Sequence, residues 1–330
     1  MRTSTQSFND FAAAVWAYLN ANFDADEVQD NVSHLYGQIY STYNPDALPA
    51  KSPLTGEKLY TALLATISNS GDRVVRVQKD HWSVMDKDAL NLAYQQRKEG
   101  KINPLDDQAS RARSSYLHIY PTGTTTNGNK IIPPTDRAKD NNWRLGINVK
   151  PNNIAQAVLD LCPIMDQHKD IDHFKVSAPG GARKPDSVII YMKNDPQTYA
   201  TIRDAVWDKA KDYDLQPSFS PMWNELESGF AEAAEPPVDG GSFGTYRCLV
   251  AYLCYWWLSI EEGTKPTRDD YLLWLTAVLV SFGITPTAPH KQEPLDEPPF
   301  GKEENRVFFQ VMALYKGDDT KFAGAYLGNR

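Results

Sequence analysis

Hydrophobic residues follow an α-helical period through the first seventy residues and change to short β-strand patterns from Gly71 onward. Three amphipathic helices are predicted at the start, beginning near Ser7, Val28 and Pro53. Strands are predicted in RVVRV, HWSVM, SSYLHIYP, WRLGINV, DHFKVSA and SVIIYM, with helices between and after them. Since no β-α-β unit repeats, the pattern predicts an α+β fold: a mainly helical N-terminal region and a mixed α+β core with a small antiparallel or mixed sheet.

The same patterns predict how the chain is divided. Residues 1–70 form a helical N-terminal region, a candidate for peptide binding, and residues 71–330 form the α+β domain. Segment 121–142, rich in Gly, Asn, Thr and Pro, is predicted to be a long mobile loop. A helix capped by Thr267 and a last helix over 307–314 are expected near the end.

The net charge of the chain limits the classes of ligand that it can bind. The chain has 42 acidic and 34 basic residues and a formal net charge of −8, which disfavours general binding to nucleic acid or to an anionic membrane. Its three cysteines show no CxxC spacing, as is usual for buried reduced thiols. We find no secretory signal and no apolar run near the ~18 residues of a membrane span, so a cytoplasmic location is expected.

Three motifs that could indicate common chemistries lack their required context. His168 and His173 have no acid or cysteine at a recognised ligand spacing, so no metal and no cofactor are predicted. GGSFG, around Ser242, has the letters of a hydrolase nucleophile motif but no strand before it. Residues 123–130 lack the Gly-Lys-Ser/Thr of a phosphate loop and continue into IIPP.

The positions of five cations say more about function than these three motifs do, because the chain as a whole is acidic. Five lie at strand and loop positions from which they could converge on one anion: Arg144, Lys175, Arg183, Lys184 and Arg247. Arg247 precedes a strongly apolar helix, where an unpaired buried charge would be costly. A plainer interpretation stays open, in which Arg247 pairs with Glu232 or Glu235 and Lys175 lies at the edge of the sheet.

Four stretches then support a family resemblance: RLGINVKP, IMDQHKDIDHFKVSAPGGARKPDSVIIYM, GFAEAAEP and SFGTYRC. They resemble the HopA family of type III effectors and the lyase partner of class V lanthipeptide synthetases. The resemblance covers residues 143–255 and extends weakly to VSHLYGQIY and FAGAYLGNR. That family is similar in turn to the OspF-type phosphothreonine lyases, which remove phosphate by β-elimination and leave a dehydro amino acid.

The resemblance implies roles for individual residues. Lys175 matches the general-base lysine of the lyases, and neighbouring cations would favour its neutral amine. Arg144 matches a phosphate-contacting lysine, and Arg247 a phosphate-binding arginine on a late helix. Tyr191 matches a tyrosine of the pocket. Three further residues complete the expected phosphate-binding set: Asn148, Arg183 and Lys184.

One position departs from the lyases. They carry a general-acid histidine two residues after the phosphate-binding cation, where this chain has Gly146. His118, His173 or Tyr191 could donate the proton instead. His173 lies two residues from Lys175 on a predicted strand, so both are expected on one face. Asp186 either orients a cation or caps the turn before the strand.

The resulting expectation is a phosphoserine/phosphothreonine lyase. It would convert a phosphorylated, leader-bearing precursor peptide to dehydroalanine or dehydrobutyrine in lanthipeptide-type biosynthesis. A separate Ser/Thr kinase would supply the phosphate, since no kinase motif set is present, and no nucleic-acid or membrane partner is expected. Two alternatives remain: a HopA-type effector, delivered into a host cell, that binds phosphoproteins without turnover, and a scaffold whose cations lie apart.

Overall fold

A computed structural model describes residues 3–24, 28–41, 53–70, 73–77, 83–85, 87–101, 116–127, 130–135, 142–177, 186–217, 219–236, 243–261 and 265–292. The helices within these ranges are α1 (Ser4–Asn22), α2 (Val28–Tyr36), α3 (Pro53–Ser70), α4 (Lys87–Lys98), α5 (Ile154–Gln167), α6 (Tyr199–Ala210), α7 (Phe243–Glu261) and α8 (Arg268–Ser281). A π-helical turn, Gly37–Ser41, follows α2, and a 3-10 turn, Pro151–Asn153, precedes α5. The helix predicted over 307–314 lies outside the described residues.

The strands in the same ranges are β1 (Val75–Val77), β2 (Ser83–Met85), β3 (Tyr116–Ile119), β4 (Thr125–Asn127), β5 (Lys130–Ile132), β6 (Trp143–Ile147), β7 (Ile171–Ser177), β8 (Val188–Met192), β9 (Asn224–Glu227) and β10 (Phe230–Ala234). Eight of them form one sheet in the order β2-β1-β3-β7-β8-β6-β10-β9. The pairings from β2 through to β6 are antiparallel. The predicted α+β class is confirmed, with a larger sheet than expected.

Helix ends show where local sequence signals hold. α3 begins at Pro53 as predicted, and the Thr267 hydroxyl accepts a hydrogen bond from the Asp270 amide at the start of α8. The expected start at Ser7 is wrong, because α1 begins earlier and Thr3 caps it by accepting from the Gln6 amide. Ser7 is buried inside the helix, where its hydroxyl accepts from the amide of Met222. Met222 itself has a backbone φ of 74°.

The described residues of segment 121–142 contain a short hairpin instead of an irregular loop. β4 pairs with β5 in antiparallel register, from Thr125 opposite Ile132 to Asn127 opposite Lys130. The two residues between the strands in the sequence are Gly128 and Asn129, which are residue types typical of tight turns. Residues 128–129 and 136–141 lie outside the described residues.

Internal contacts divide the chain into two compact units. The first comprises residues 43–219 and 225–232, so α3 belongs with the sheet and with α4 to α6. The second comprises residues 2–42, 220–224 and 233–330. It contains α1, α2, α7 and α8, which pack on one another around the buried residues of α7.

The sheet of the first unit has one apolar face. Along β3, β7 and β8, alternate residues are fully buried aliphatic and aromatic side chains, such as Leu117, Phe174 and Ile190. α5 contacts β7 and packs between α3 and α6. Arg73, two residues before β1, forms an ion pair with Asp166 of α5 at 2.5 Å. α5 therefore covers the apolar face, which leaves the opposite face for polar side chains.

Within the part of the chain that the structure describes, none of the helices combines the length and the apolar character needed to cross a bilayer.

Candidate functional site

Polar and aromatic side chains from five strands share the other face of the sheet, here called the polar face. His118 of β3 lies directly opposite both Arg76 of β1 and Lys175 of β7. Tyr191 of β8 lies directly opposite both His173 of β7 and Arg144 of β6. Because residues directly opposite in an antiparallel pair point to the same side, the strand register alone assembles these groups.

Lys175 lies between two tyrosine rings on the polar face. Its Nζ is 4.2 Å from the centre of the Tyr116 ring and 5.5 Å from that of Tyr191. The Tyr116 hydroxyl donates a hydrogen bond of 3.0 Å to the carboxylate of Asp186. The ring faces attract an ammonium, and Asp186 fixes the nearer ring. Asp186 thus positions Tyr116, and the two roles expected for it, orienting a cation or capping the turn, stay predictions.

His173 is at the centre of a stack of rings. Its imidazole lies 4.5 Å from Tyr191, 5.0 Å from Tyr120 and 5.1 Å from His118, with interplanar angles of 15° to 28°. Its Nδ1 is 2.5 Å from a carboxylate oxygen of Asp172. Because a carboxylate only accepts hydrogen bonds, this contact places a proton on Nδ1. Nε2 is then the nitrogen that can exchange a proton with a ligand.

A β-bulge makes the Asp172–His173 contact possible. Ile171 pairs with Met192 and His173 pairs with Tyr191, so β7 has one residue more than β8 at this point. Ile171 and Met192 are buried on the apolar face, whereas His173 lies on the polar face two residues later. The extra residue is Asp172, and this insertion lets its carboxylate lie beside the imidazole of the next residue, His173.

His118 is a neutral imidazole in this cluster. Burial is the main cause that lowers its pKa well below 6.5, and the charges of His173, Lys175 and Arg76 add to the effect. Burial also raises the pKa of the neighbouring Tyr120 phenol, against an opposing hydrogen bond from Arg76. Two uncharged polar groups therefore lie between the cations of the polar face.

Arg144 completes the polar face at β6. It is buried, and its guanidinium carbon lies 5.3 Å from the centre of the Tyr191 ring. Gly146 lies two residues after Arg144 on the same face of β6, directly opposite Ile189 of β8. The position at which the lyases carry their acid therefore has no side chain in this chain. Asn148 is also buried, and its backbone amide donates to the Gly229 carbonyl at 2.8 Å.

Arg247 has a different environment, in the second unit. It is fully buried in α7, and its guanidinium donates to the carbonyl oxygens of Pro289, Lys291 and Phe243 at 3.0 to 3.3 Å. The guanidinium carbon lies 3.6 Å from the centre of the Phe243 ring. These contacts tie residues 289–291 to the first turn of α7. The role of Arg247 in binding phosphate stays a prediction.

Two further predicted positions, Arg183 and Lys184, and the neighbouring Ser187 remain to be located. Arg183 and Lys184 lie outside the described residues. The Ser187 hydroxyl accepts from the Val149 amide at 2.6 Å and donates toward backbone carbonyls of β6 and the residues after it, which fixes β8 beside β6. Among the described residues, no group of three or more His, Cys, Asp or Glu side chains is placed to hold a metal ion.

Four residues of the polar face were not predicted as site residues: Arg76, Tyr116, Tyr120 and Asp172. Alternation along RVVRV and SSYLHIYP could have placed Arg76, Tyr116 and Tyr120 on one strand face with His118. Asp172 could not be found this way, because a bulge is a property of two paired strands.

Comparisons with known proteins define the fold. No protein-family profile and no curated protein sequence matches the chain. Two solved structures are similar to it: the effector protein from Pseudomonas syringae pv. tomato strain DC3000 and the effector protein from Pseudomonas syringae pv. syringae strain 61. Each has a TM-score of 0.59 at 18% identity, and the alignments cover 88% and 89% of this chain and 99% and 100% of theirs. The chain therefore shares the fold of these effector proteins.

Proposed function

We propose that the chain is a phosphoserine/phosphothreonine lyase that eliminates phosphate from a phosphorylated precursor peptide. The observation that carries the proposal is that one sheet face brings together Lys175, His173, Tyr191 and Arg144. The family resemblance implies that Lys175 is the base, that Tyr191 belongs to the pocket and that Arg144 binds phosphate, and His173 is one of three candidates for the acid. Arg144 and His173 are both directly opposite Tyr191, which makes this tyrosine the centre of the site.

Lys175 acts as the general base. Its neutral amine removes the proton from Cα of the phosphorylated residue, and the electron pair of that bond forms the Cα–Cβ double bond. The Cβ–O bond breaks at the same time, and phosphate leaves with its bridging oxygen. The protonated lysine that results is stabilised by the faces of Tyr116 and Tyr191.

Arg144 binds the phosphate. A guanidinium can hold a phosphate through two parallel N–H groups, and burial strengthens such contacts by excluding water. Its guanidinium carbon lies 5.3 Å from the centre of the Tyr191 ring. Charge that builds up on the departing oxygen is then met by a fixed cation.

His173 supplies the proton to the leaving oxygen. The carboxylate of Asp172 accepts from Nδ1 and so fixes the orientation of the imidazole, as a carboxylate does for other catalytic histidines. This assignment replaces the histidine that the lyases have at the position of Gly146. His118 is the weaker candidate, because burial keeps it neutral.

The substrate must reach the site already phosphorylated. The proposal therefore includes a separate Ser/Thr kinase as the source of the phosphate and a leader-bearing peptide as the substrate. The products are dehydroalanine from phosphoserine and dehydrobutyrine from phosphothreonine, as required for a lanthipeptide-type pathway.

Mass spectrometry of a treated phosphopeptide tests the proposal. The expected result is loss of one phosphoric acid per modified residue, together with trapping of the new double bond by an added thiol. Loss of phosphate with retention of the hydroxyl would indicate hydrolysis and would contradict elimination. The Lys175→Ala variant is the matched negative control.

The fold favours one alternative. Both structural neighbours are effector proteins by description, so the chain could instead bind phosphoproteins of a host cell through the same face without turnover. The same experiment separates the two functions. A phosphopeptide that binds tightly, depends on Arg144 and is recovered unchanged would favour the binding protein.

A further inference from the structure

Arg76 belongs to the polar face but has no role in the elimination step. It lies on β1 directly opposite His118, and its side chain is partly exposed. Arg76 lies near the Tyr120 phenol, where its charge opposes the rise in pKa that burial causes, and the Tyr120 ring stacks on His173 at 5.0 Å. Arg76 is therefore next to the ring stack around His173.

The strand order sets the distance between Arg76 and the proposed base. β3 lies between β1 and β7, so Arg76 and Lys175 are two strand spacings apart. At about 4.8 Å per spacing, this separation is about 10 Å. An extended peptide covers about 10 Å in about three residues. A side chain near the third residue from the phosphorylated one can then reach Arg76.

Charge indicates what Arg76 can bind. Arg76 and Arg144 lie on opposite sides of Lys175 in the strand order, and His118 between Arg76 and Lys175 is neutral. A guanidinium presents five N–H groups in a planar fork and binds a carboxylate through two of them. A partly exposed site of this kind favours an anion carried by the bound peptide.

We propose that Arg76 forms a second anion subsite, which selects substrates with an acidic side chain two to four residues from the phosphorylated residue. This inference rests on the proposed site around Lys175 but concerns substrate choice. It applies to binding, so it holds or fails independently of whether the bound phosphopeptide is eliminated.

Peptide binding tests the subsite. The probes are phosphonate analogues of a phosphoserine peptide, in which CH₂ replaces the bridging oxygen so that phosphate cannot leave. One series carries a single aspartate at each position from four residues before to four residues after the phosphonate, and the matched peptide carries asparagine. Binding to the full chain is followed by fluorescence anisotropy.

We expect one aspartate position, two to four residues away, to bind the wild-type chain about five- to tenfold more tightly than its asparagine partner. Arg76→Gln removes this preference and leaves affinity for the asparagine peptide unchanged, which also shows that the variant is folded. Arg76→Lys keeps part of the preference. Lys211→Gln, an exposed charge-matched control, keeps all of it.

Equal binding of aspartate and asparagine peptides at every position by the wild-type chain would overturn the subsite. A preference that survives Arg76→Gln would also overturn it, since another cation would then be responsible. Selective binding without any elimination of a true phosphopeptide would contradict the lyase function but support the subsite.

Discussion

Nζ of Lys175 lies 4.2 Å above the ring of Tyr116, whose hydroxyl is held by Asp186. Lys175→Arg keeps the positive charge at this position but supplies no neutral amine, because a guanidinium stays protonated in proteins. We expect this variant to lose elimination by about 10²- to 10⁴-fold and to retain phosphopeptide binding within about threefold. Single-turnover mass spectrometry gives the rate and anisotropy the affinity. An active Lys175→Arg chain would exclude Lys175 as the base.

The Asp172–His173 contact predicts a graded effect on the same reaction. His173→Gln removes the proton donor and is expected to lower kcat by about 10²-fold or more. Asp172→Asn keeps the imidazole but replaces the charged acceptor of Nδ1 with a neutral amide, which holds the ring less firmly, so we expect a smaller loss of kcat. A kcat equal to that of the wild type would show that Asp172 has no part in positioning His173.

His118 predicts a dependence of stability on pH. Its pKa in the folded chain is lowered well below 6.5, so near pH 6 the unfolded chain binds a proton that the folded chain does not. Stability from this residue is complete above about pH 6.5 and falls as the pH is lowered, by up to about 1.4 kcal/mol per pH unit. Urea unfolding at pH 7, 6 and 5 should therefore show a steeper loss for the wild type than for His118→Phe. Parallel curves would contradict this prediction.

Arg73 predicts a large effect on folding. Its guanidinium donates to the Tyr120 carbonyl at 2.9 Å, to the Thr122 hydroxyl at 3.1 Å and to Asp166 at 2.5 Å, and its side chain is 1% exposed. Arg73→Met leaves these acceptors without their donor and is expected to lower the free energy of unfolding by about 3 kcal/mol. The exposed pair of Lys211 and Asp208 provides the control, since Lys211→Met should leave the urea midpoint unchanged. Equal midpoints for the two variants would disprove the structural role of Arg73.

The cysteines predict a chemically inert native state. Cys162, Cys248 and Cys254 are buried, and burial raises the pKa of Cys162 to about 11 and that of the other two thiols further. Because the thiolate is the reactive species, a thiol reagent at pH 8 should label the folded chain slowly and all three thiols rapidly in denaturant. Rapid labelling of the native chain would show that one of these helices opens.

Much of the fold follows from local patterns. β7 alternates between polar and apolar residues from His173 onward, and β8 is a short apolar run rich in β-branched residues. Pro53 and Thr267 mark helix starts by their own geometry. β9 and β10 were not predicted, because FAEAA consists mainly of good helix formers and becomes a strand only through pairing within the sheet. The predicted helix start at Ser7 was wrong for a related reason. The Ser7 hydroxyl accepts a hydrogen bond from the amide of Met222, which is far away in the sequence.

The candidate site was likewise predictable only where it depends on local sequence patterns. A period of two predicts that His173 and Lys175 share a face, and they do. Their neighbours across the sheet depend on register, which only the paired strands define. The contacts of Arg247 were also unpredictable, because its carbonyl acceptors lie about forty residues later and the sequence suggested the acids Glu232 and Glu235.

The bulge at Asp172 also determines which changes of length the gene can tolerate. Before it, β7 directs Ile171 into the core, and after it, β7 directs His173 to the other side. Deleting the codon for Asp172 would leave Ile171 and His173 adjacent in a regular strand, where neighbouring residues already face opposite sides. The fold should therefore tolerate the loss of this residue, whereas the site would lose the carboxylate that accepts from Nδ1 of His173.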